Sequence, residues 1–174
     1  ELGVLRTDSA EADAGLGSAV AIWSSGGGGG STPEEAFFGA PGGERVVRYG
    51  PSDGGWGRVG ELSSPFGDGT AAGTTAYGAR MALHPDEGLL VAAPTVDGRR
   101  GAVVVHEPGS WDVVEILQPE ELEPGDVFGA ALGAHASGIV VGAPGAAGGE
   151  GRAWVRTAGA EVGAWLEAGP ELTT

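Results

Sequence analysis

The chain has no cysteine and no lysine. Without cysteine there is no disulfide framework, no thiolate nucleophile and no thiolate metal site. The nine basic residues are all arginine, at positions 6, 45, 48, 58, 80, 99, 100, 152 and 156, and the longest basic run is the pair Arg99-Arg100. Against 24 acidic residues they leave a formal net charge of −15. Phosphate backbones and anionic membrane surfaces are repelled by such a chain, so nucleic acid is not an expected partner. No apolar run approaches the roughly 20 residues of a membrane-spanning helix, so no membrane insertion is expected. Helical periodicity is missing too: no apolar stripe at 3.6-residue spacing lasts three turns without a glycine or proline inside it. No secretory leader is visible and the first residue is Glu1, which reads as a mature or excised segment.

What the chain does have is repetition. Phe128 to Pro144 reads FGAALGAHASGIVVGAP, an aromatic-glycine pair followed by two short apolar runs and an Ala-Pro ending. Tyr77 to Pro94 follows the same plan as YGARMALHPDEGLLVAAP. Leu16 to Pro41 follows it again, with leucine for the aromatic and the glycine run Gly26–Gly30 inserted between the two apolar runs. The Ala-Pro pairs at 40-41, 93-94 and 143-144 recur after 53 and 50 residues. Self-similarity at this period sets architecture before any motif sets chemistry.

Within each period, apolar runs of four to seven residues alternate with Gly/Pro turns, which is a strand signal. The expected strands are Leu16–Ile22, Glu35–Gly39, Arg45–Tyr49 and Trp56–Leu62; then Gly78–Leu83, Leu89–Ala92, Ala102–His106 and Trp111–Leu117; then Gly129–Ala134, Ile139–Gly142, Arg152–Arg156 and Glu161–Leu166. Four short strands per repeat point to an all-β chain of β-propeller blades. Blade 1 is expected over residues 16–76, blade 2 over 77–127 and blade 3 over 128–174. Residues 1–15 read as an outer strand, Glu1–Leu5, left over from a preceding blade, plus its linker.

The pairing of Tyr77-Gly78 and Phe128-Gly129 with Ala92-Ala93-Pro94 and Gly142-Ala143-Pro144 resembles the FG-GAP repeats of integrin α-subunit propellers and of bacterial surface and secreted proteins. Trp111 followed by Ile116-Leu117 fits the fourth strand of such a repeat, and Gly39-Ala40-Pro41 marks the first repeat despite Leu16. The resemblance implies an extracellular or cell-surface scaffold for binding or adhesion, with glycines that let neighbouring blades approach. It does not extend to calcium. Where integrin-like members carry an Asp-x-Asp-x-Asp-Gly loop, this chain has His84-Pro85-Asp86-Glu87-Gly88, His135-Ala136-Ser137-Gly138 and the glycine run, without alternating oxygen ligands. No cofactor is expected.

Catalytic signals are sparse, and the chain reads as a non-enzyme. There is no Gly-x-Ser-x-Gly elbow, and the glycine run lacks the lysine of a phosphate-binding loop. His84 and His135 fall at equivalent hairpin turns and His106 ends a strand, so all three read as structural. Phe66-Gly67-Asp68-Gly69 reads as linker. The linkers around Asp8, Glu11 and Asp13 and around Glu120, Glu121, Glu123 and Asp126 are acidic, and read as a solvated rim. Trp56, Trp111, Trp154 and Trp165 read as packing residues; Trp23, beside the glycine run, is the one indole read as exposed enough to stack on a sugar. The resemblance puts the loops after the Ala-Pro pairs on a ligand-competent face, which makes Asp97, Arg99, Arg100, Glu150 and Arg152 the candidate recognition residues, with Trp23 beside them. The ligand would be a protein or a glycan; a carbohydrate-binding propeller and the accessory propeller of a secreted hydrolase are the alternatives. Three blades do not close a ring, so a second copy or a companion fragment is expected to complete six or seven.

Overall fold

The computed structural model describes residues 15–24, 35–53, 55–67, 74–157 and 165–168. The expected strand Glu1–Leu5, the first acidic linker and the run Gly26–Gly30 lie outside them. The described residues form three four-stranded antiparallel sheets, each a simple meander. Sheet 1 contains β1 (Val20–Trp23), β2 (Glu35–Ala40), β3 (Arg45–Ser52) and β4 (Gly55–Ser63). Sheet 2 contains β5 (Arg80–His84), β6 (Gly88–Ala93), β7 (Ala102–His106) and β8 (Val113–Leu117). Sheet 3 contains β9 (Ala131–His135), β10 (Gly138–Ala143), β11 (Arg152–Thr157) and β12 (Leu166–Ala168).

The sheets stack face to face in chain order, and their closest approach runs along the first strands: β1 lies beside β5, and β5 beside β9. Burial shows which faces are covered. In sheet 2 every residue of β6 and β7 is buried, as expected for strands covered on both sides. In sheet 3, β10 alternates, with Ile139 and Val141 buried and Val140 exposed, because among the described residues only one of its faces has a neighbouring sheet. One core therefore joins Phe37, Val46 and Leu62 of sheet 1 to Leu89, Val91 and Val104 of sheet 2. The other joins Leu90, Val103 and Val105 of sheet 2 to Ile139, Val141 and Trp154 of sheet 3. We call the side of a sheet that meets the preceding sheet its leading face, and the opposite side its trailing face.

The aromatic-glycine pairs begin the repeats as expected, but they precede the first strands as tight turns instead of belonging to them. Ala76 and Val127, just before the aromatics, take positive φ of 55° and 61°, as do Gly78 and Gly129 just after. The turns plug Tyr77 and Phe128 into the inter-sheet cores, both fully buried. Burying a side chain of that size is worth roughly 1.5–3 kcal/mol, which offsets the roughly 1–3 kcal/mol of one strained residue. Glycine is required where Gly39 of sheet 1 meets Gly78: a Cβ on Gly39 would lie 2.0 Å from the Gly78 carbonyl oxygen.

Outer strands β4 and β8 each carry one extra residue, Val59 and Val114, at equivalent bulges opposite Arg48/Tyr49 and Val105/His106. Both valines are exposed. The fourth strand of the third repeat is observed as Leu166–Ala168, and residues 161–164 of the expected strand lie outside the described region. Trp56 corrects the reading of it as a packing residue. It is register-equivalent to Trp111, yet 42% exposed where Trp111 is 3% exposed. Trp111 has sheet 1 to pack against, whereas among the described residues no sheet stands on the leading face of sheet 1, where Leu16 packs over Ala36, Val47 and Tyr49.

Candidate functional site

Two parts of the molecule concentrate polar chemistry: the seams between sheets, and the loops that follow the Ala-Pro pairs.

The seam between sheets 1 and 2 contains a buried chain of hydrogen bonds. The Tyr77 hydroxyl lies 2.6 Å from His106 Nε2, and His106 Nδ1 lies 2.8 Å from the Trp111 carbonyl oxygen. A carbonyl can only accept, so Nδ1 carries the proton, Nε2 is the acceptor and the tyrosine donates. Burial raises the Tyr77 pKa far above that of a free phenol. It also lowers that of His106, against the opposing pull of the Trp111 carbonyl and the nearby Asp112 charge. Both groups are therefore neutral near pH 7. Nearby, the Arg48 guanidinium grips Glu35 through Nε at 2.9 Å and Nη2 at 3.0 Å, and the same carboxylate accepts the Trp111 indole N–H at 3.3 Å.

These contacts lead to two expectations. Tyr77→Phe, which places the equivalent residue of the third repeat in this slot, leaves His106 Nε2 buried without a donor and should destabilise by about 1–3 kcal/mol in urea unfolding. For His106, the unfolded chain binds a proton more readily than the folded one. Its contribution is fully present above the unfolded value near 6.5 and is lost as pH falls from there through the lower folded pKa. Melting temperatures of wild type should therefore fall between pH 7 and 5 more steeply than those of His106→Gln.

The seam between sheets 2 and 3 uses the same register position differently. Arg156, 5% exposed, stands where β7 has His106. Its Nη1 donates to both oxygens of Glu115, at 2.9 and 2.8 Å, and its Nη2 donates to Glu87. Burial alone would lower the Arg156 pKa, but the hydrogen bonds and charges of Glu115 and then Glu87 outweigh it and raise the value. The guanidinium also sits 6.0 Å from the Trp165 ring centroid.

A third fastening was not foreseen. Val127 N–H donates to the Arg99 carbonyl at 2.8 Å, tying the loop after β6 to the turn ahead of Phe128. The loop after β2 is four residues shorter and cannot reach. There the buried Glu44 substitutes its carboxylate, accepting the equivalent N–H of Ala76 at 3.1 Å and the Thr75 hydroxyl. The shorter Pro41–Glu44 segment was the available sequence signal.

Of the histidines expected to be structural, His84 and His135 end β5 and β9 and bond the turns that follow. His84 Nδ1 accepts the N–H groups of Asp86 and Glu87, at 3.3 and 3.1 Å, and His135 Nδ1 accepts that of Ser137 at 3.3 Å. Among the described residues, no three His, Asp or Glu side chains are grouped to hold a metal ion. No helix there is long and apolar enough to cross a membrane.

The recognition candidates divide. Asp97, Arg99 and Arg100 share the loop after β6, where Asp97 and Arg99 take positive φ and Arg100 Nη1 lies 3.2 Å from Asp97 Oδ2. Glu150 is exposed at the position equivalent to Arg100 in the next loop, and Arg152 opens β11. No protein-family model matches the chain, and no curated protein matches it. Positive φ at Asp97 recurs at Ala147, its counterpart in the other loop, so this backbone strain belongs to the repeat itself. Trp23 stands apart from these loops: it is partly buried, edge-on to Trp111 at 5.7 Å and packed against the first core, which corrects its reading as an exposed stacking residue.

The acidic linker after β8 is partly structural. Leu122 is buried in the core, Glu121 accepts the Trp154 indole N–H at 3.0 Å, and Asp126 accepts the Glu123 N–H at 2.8 Å. Beside it, Glu115, Glu120, Glu121, Leu117 and Trp165 line a recess of about 400 Å³.

Proposed function

We propose that the chain is three blades of an FG-GAP-type β-propeller and acts as a non-enzymatic binding or adhesion scaffold outside the cell. The observation that carries this reading is the arrangement of the sheets: three equivalent meanders, closest along their first strands, with the polar loops after β6 and β10 equivalently placed. Sheets that are nearest at one edge generate a ring when the same step is repeated, and loops gathered at one end of a ring make a common binding surface. Rigid strands carrying variable loops are the usual division between scaffold and recognition.

The test is a screen of immobilised protein against extracellular proteins and a glycan array, repeated with the triple variant Asp97→Ala, Arg99→Ala, Arg100→Ala. All three side chains lie outside the cores, so the melting temperature should hold. Any ligand found should bind at least about tenfold more weakly, or roughly 1.4 kcal/mol. Unchanged binding by the variant removes the loops from the recognition surface.

A glycan is the second reading, favoured by the recess beside Trp165. Carboxylates there can accept sugar hydroxyls while an indole offers apolar surface. Loss of glycan-array signal in Glu120→Gln with the loop variant unaffected would favour it.

A further inference from the structure

We infer that the free edge of β8 and the recess beside it form one docking strip for an extended segment of a partner protein, with a basic side chain of that segment entering the recess. This goes beyond the loop surface proposed above and does not rest on it, because it uses only the middle sheet and its seam with sheet 3.

Among the described residues β8 pairs with β7 alone, so one row of its backbone N–H and C=O groups has no strand beside it. An edge of this kind is commonly guarded by outward charge. Here three β-branched residues show instead: Val113, Val114 and Ile116 are 42%, 56% and 45% exposed. The register assigns them sides. Ile116 stands opposite Val104 and Val113 opposite His106, so both lie toward the leading face of sheet 2. Glu115 and Leu117 stand opposite Val105 and Val103 and lie toward the trailing face. The recess of about 400 Å³ adjoins this same stretch, with Glu115, Ile116 and Leu117 along one wall and Trp165 on another. An apolar strip and a recess thus flank one strand edge.

The recess holds spare acceptors. Gln118 Nε2 donates to the Gly101 carbonyl at 3.0 Å, which leaves its Oε1 over. Glu121 spends one oxygen on the Trp154 indole, and among the described residues nothing pairs with Glu120. The cation of this seam, Arg156, lies against the Trp165 ring but is committed to Glu87 and Glu115. Two carboxylates beside an indole therefore lack a counter-charge. A guanidinium or ammonium group answers both features, with charge-assisted hydrogen bonds to the carboxylates and attraction to the ring. A sugar hydroxyl brings no charge to Glu120 and Glu121. The net charge of −15 also favours the approach of a basic segment. A strand laid along β8 alternates its side chains between the same two faces. One that turns a basic residue into the recess sets its neighbours beside Val113 and Ile116, so the partner segment reads apolar–basic–apolar. The bulge at Val114 shortens the ladder such a strand can join, so its side chains must supply the selectivity.

The experiment uses the full chain and a fluorescently labelled, capped heptapeptide of alternating valine and threonine, with arginine as its central residue. Fluorescence polarisation should show saturable binding at submillimolar protein. Replacing the arginine by citrulline, which keeps the shape and loses the charge, should weaken binding at least about tenfold. Glu120→Gln should weaken it several-fold at an unchanged melting temperature, since this side chain is exposed and unpaired among the described residues. N-methylation of one alternate set of peptide amides, the set facing β8, should abolish binding, while methylation of the other set should not. Absence of saturable binding overturns the inference, as does equal binding of the citrulline peptide or an unaffected Glu120→Gln. Binding that survives methylation of either set places the peptide off the β8 edge and overturns it too. A glycan-array signal that depends on Glu120, with no peptide binding, makes the recess a sugar site. The triple loop variant Asp97→Ala, Arg99→Ala, Arg100→Ala should bind the peptide like wild type, so failure here and failure of the loop surface are read separately.

Discussion

Replacing Arg156 by leucine should destabilise the protein by about 3–5 kcal/mol, because removing one partner of a buried ion cluster leaves the others uncompensated. Glu87 and Glu115 both reach Arg156 from sheet 2, so without it two carboxylates of one sheet converge in the seam with no cation between them. Two further measurements separate this cause from lost packing. The triple variant Arg156→Leu, Glu87→Gln, Glu115→Gln should recover a large part of the loss, since the repulsion and the unpaired charge go together. Acidification should also narrow the gap between Arg156→Leu and wild type as the stranded carboxylates take up protons. If the single variant is the more stable at neutral pH in urea unfolding, or if neutralising the glutamates recovers nothing, the cluster is not what fastens sheet 3 to sheet 2.

Gly39→Ala should be the most damaging methyl addition in sheet 1, costing about 1–3 kcal/mol or more. The new Cβ would lie 2.0 Å from a backbone oxygen of the neighbouring sheet. A side chain could rotate away, but the Gly78 carbonyl is held in a turn between Tyr77 and β5. The whole seam must open, and with it the contacts of Phe37 and Trp111. Gly142→Ala is the internal control. It stands at the equivalent position of sheet 3, where the nearest atom of the same chain to an added Cβ is the Ala131 methyl at 3.2 Å, so its effect on the unfolding of a single chain should stay below about 1 kcal/mol. Comparable melting temperatures for the two variants would mean that the seam is looser than its geometry.

The strands were legible because each apolar run is bounded by glycine or proline, and eleven of the twelve overlap the expected segments by most of their length. The twelfth, Leu166–Ala168, meets its expected segment only at Leu166. Residues whose role depends on a neighbouring sheet were harder to read. Trp56 and Trp111 were correctly paired as equivalent positions, but equivalence in sequence does not say whether a neighbour stands opposite, so one is core and the other surface. Trp23 was judged by the glycine run next to it in the chain; its packing is decided by Trp111, which lies 88 residues away. His106 closes an apolar strand, which marked it as structural, but its burial and its partner Tyr77 depend on another part of the repeat plan. The ion cluster at Arg156 had no local signature, because its three members come from three different turns and strands.

The register position shared by Tyr49, His106 and Arg156 bears on how the chain finds its order. Three sheets of nearly the same shape, each with an apolar face on either side, could stack in the wrong sequence while folding, and hydrophobic burial alone would barely object. The residue at this one position differs every time. Sheet 3 docked on the trailing face of sheet 1 would bury Arg156 without Glu87 and Glu115, whereas His106 keeps Tyr77 and the Trp111 carbonyl, both of its own repeat, whichever sheet it meets. Arg156 in that arrangement is a buried charge without its partners, a cost of several kcal/mol. A repeated chain thus carries, at a single point on its third sheet, an address that names the sheet it must follow.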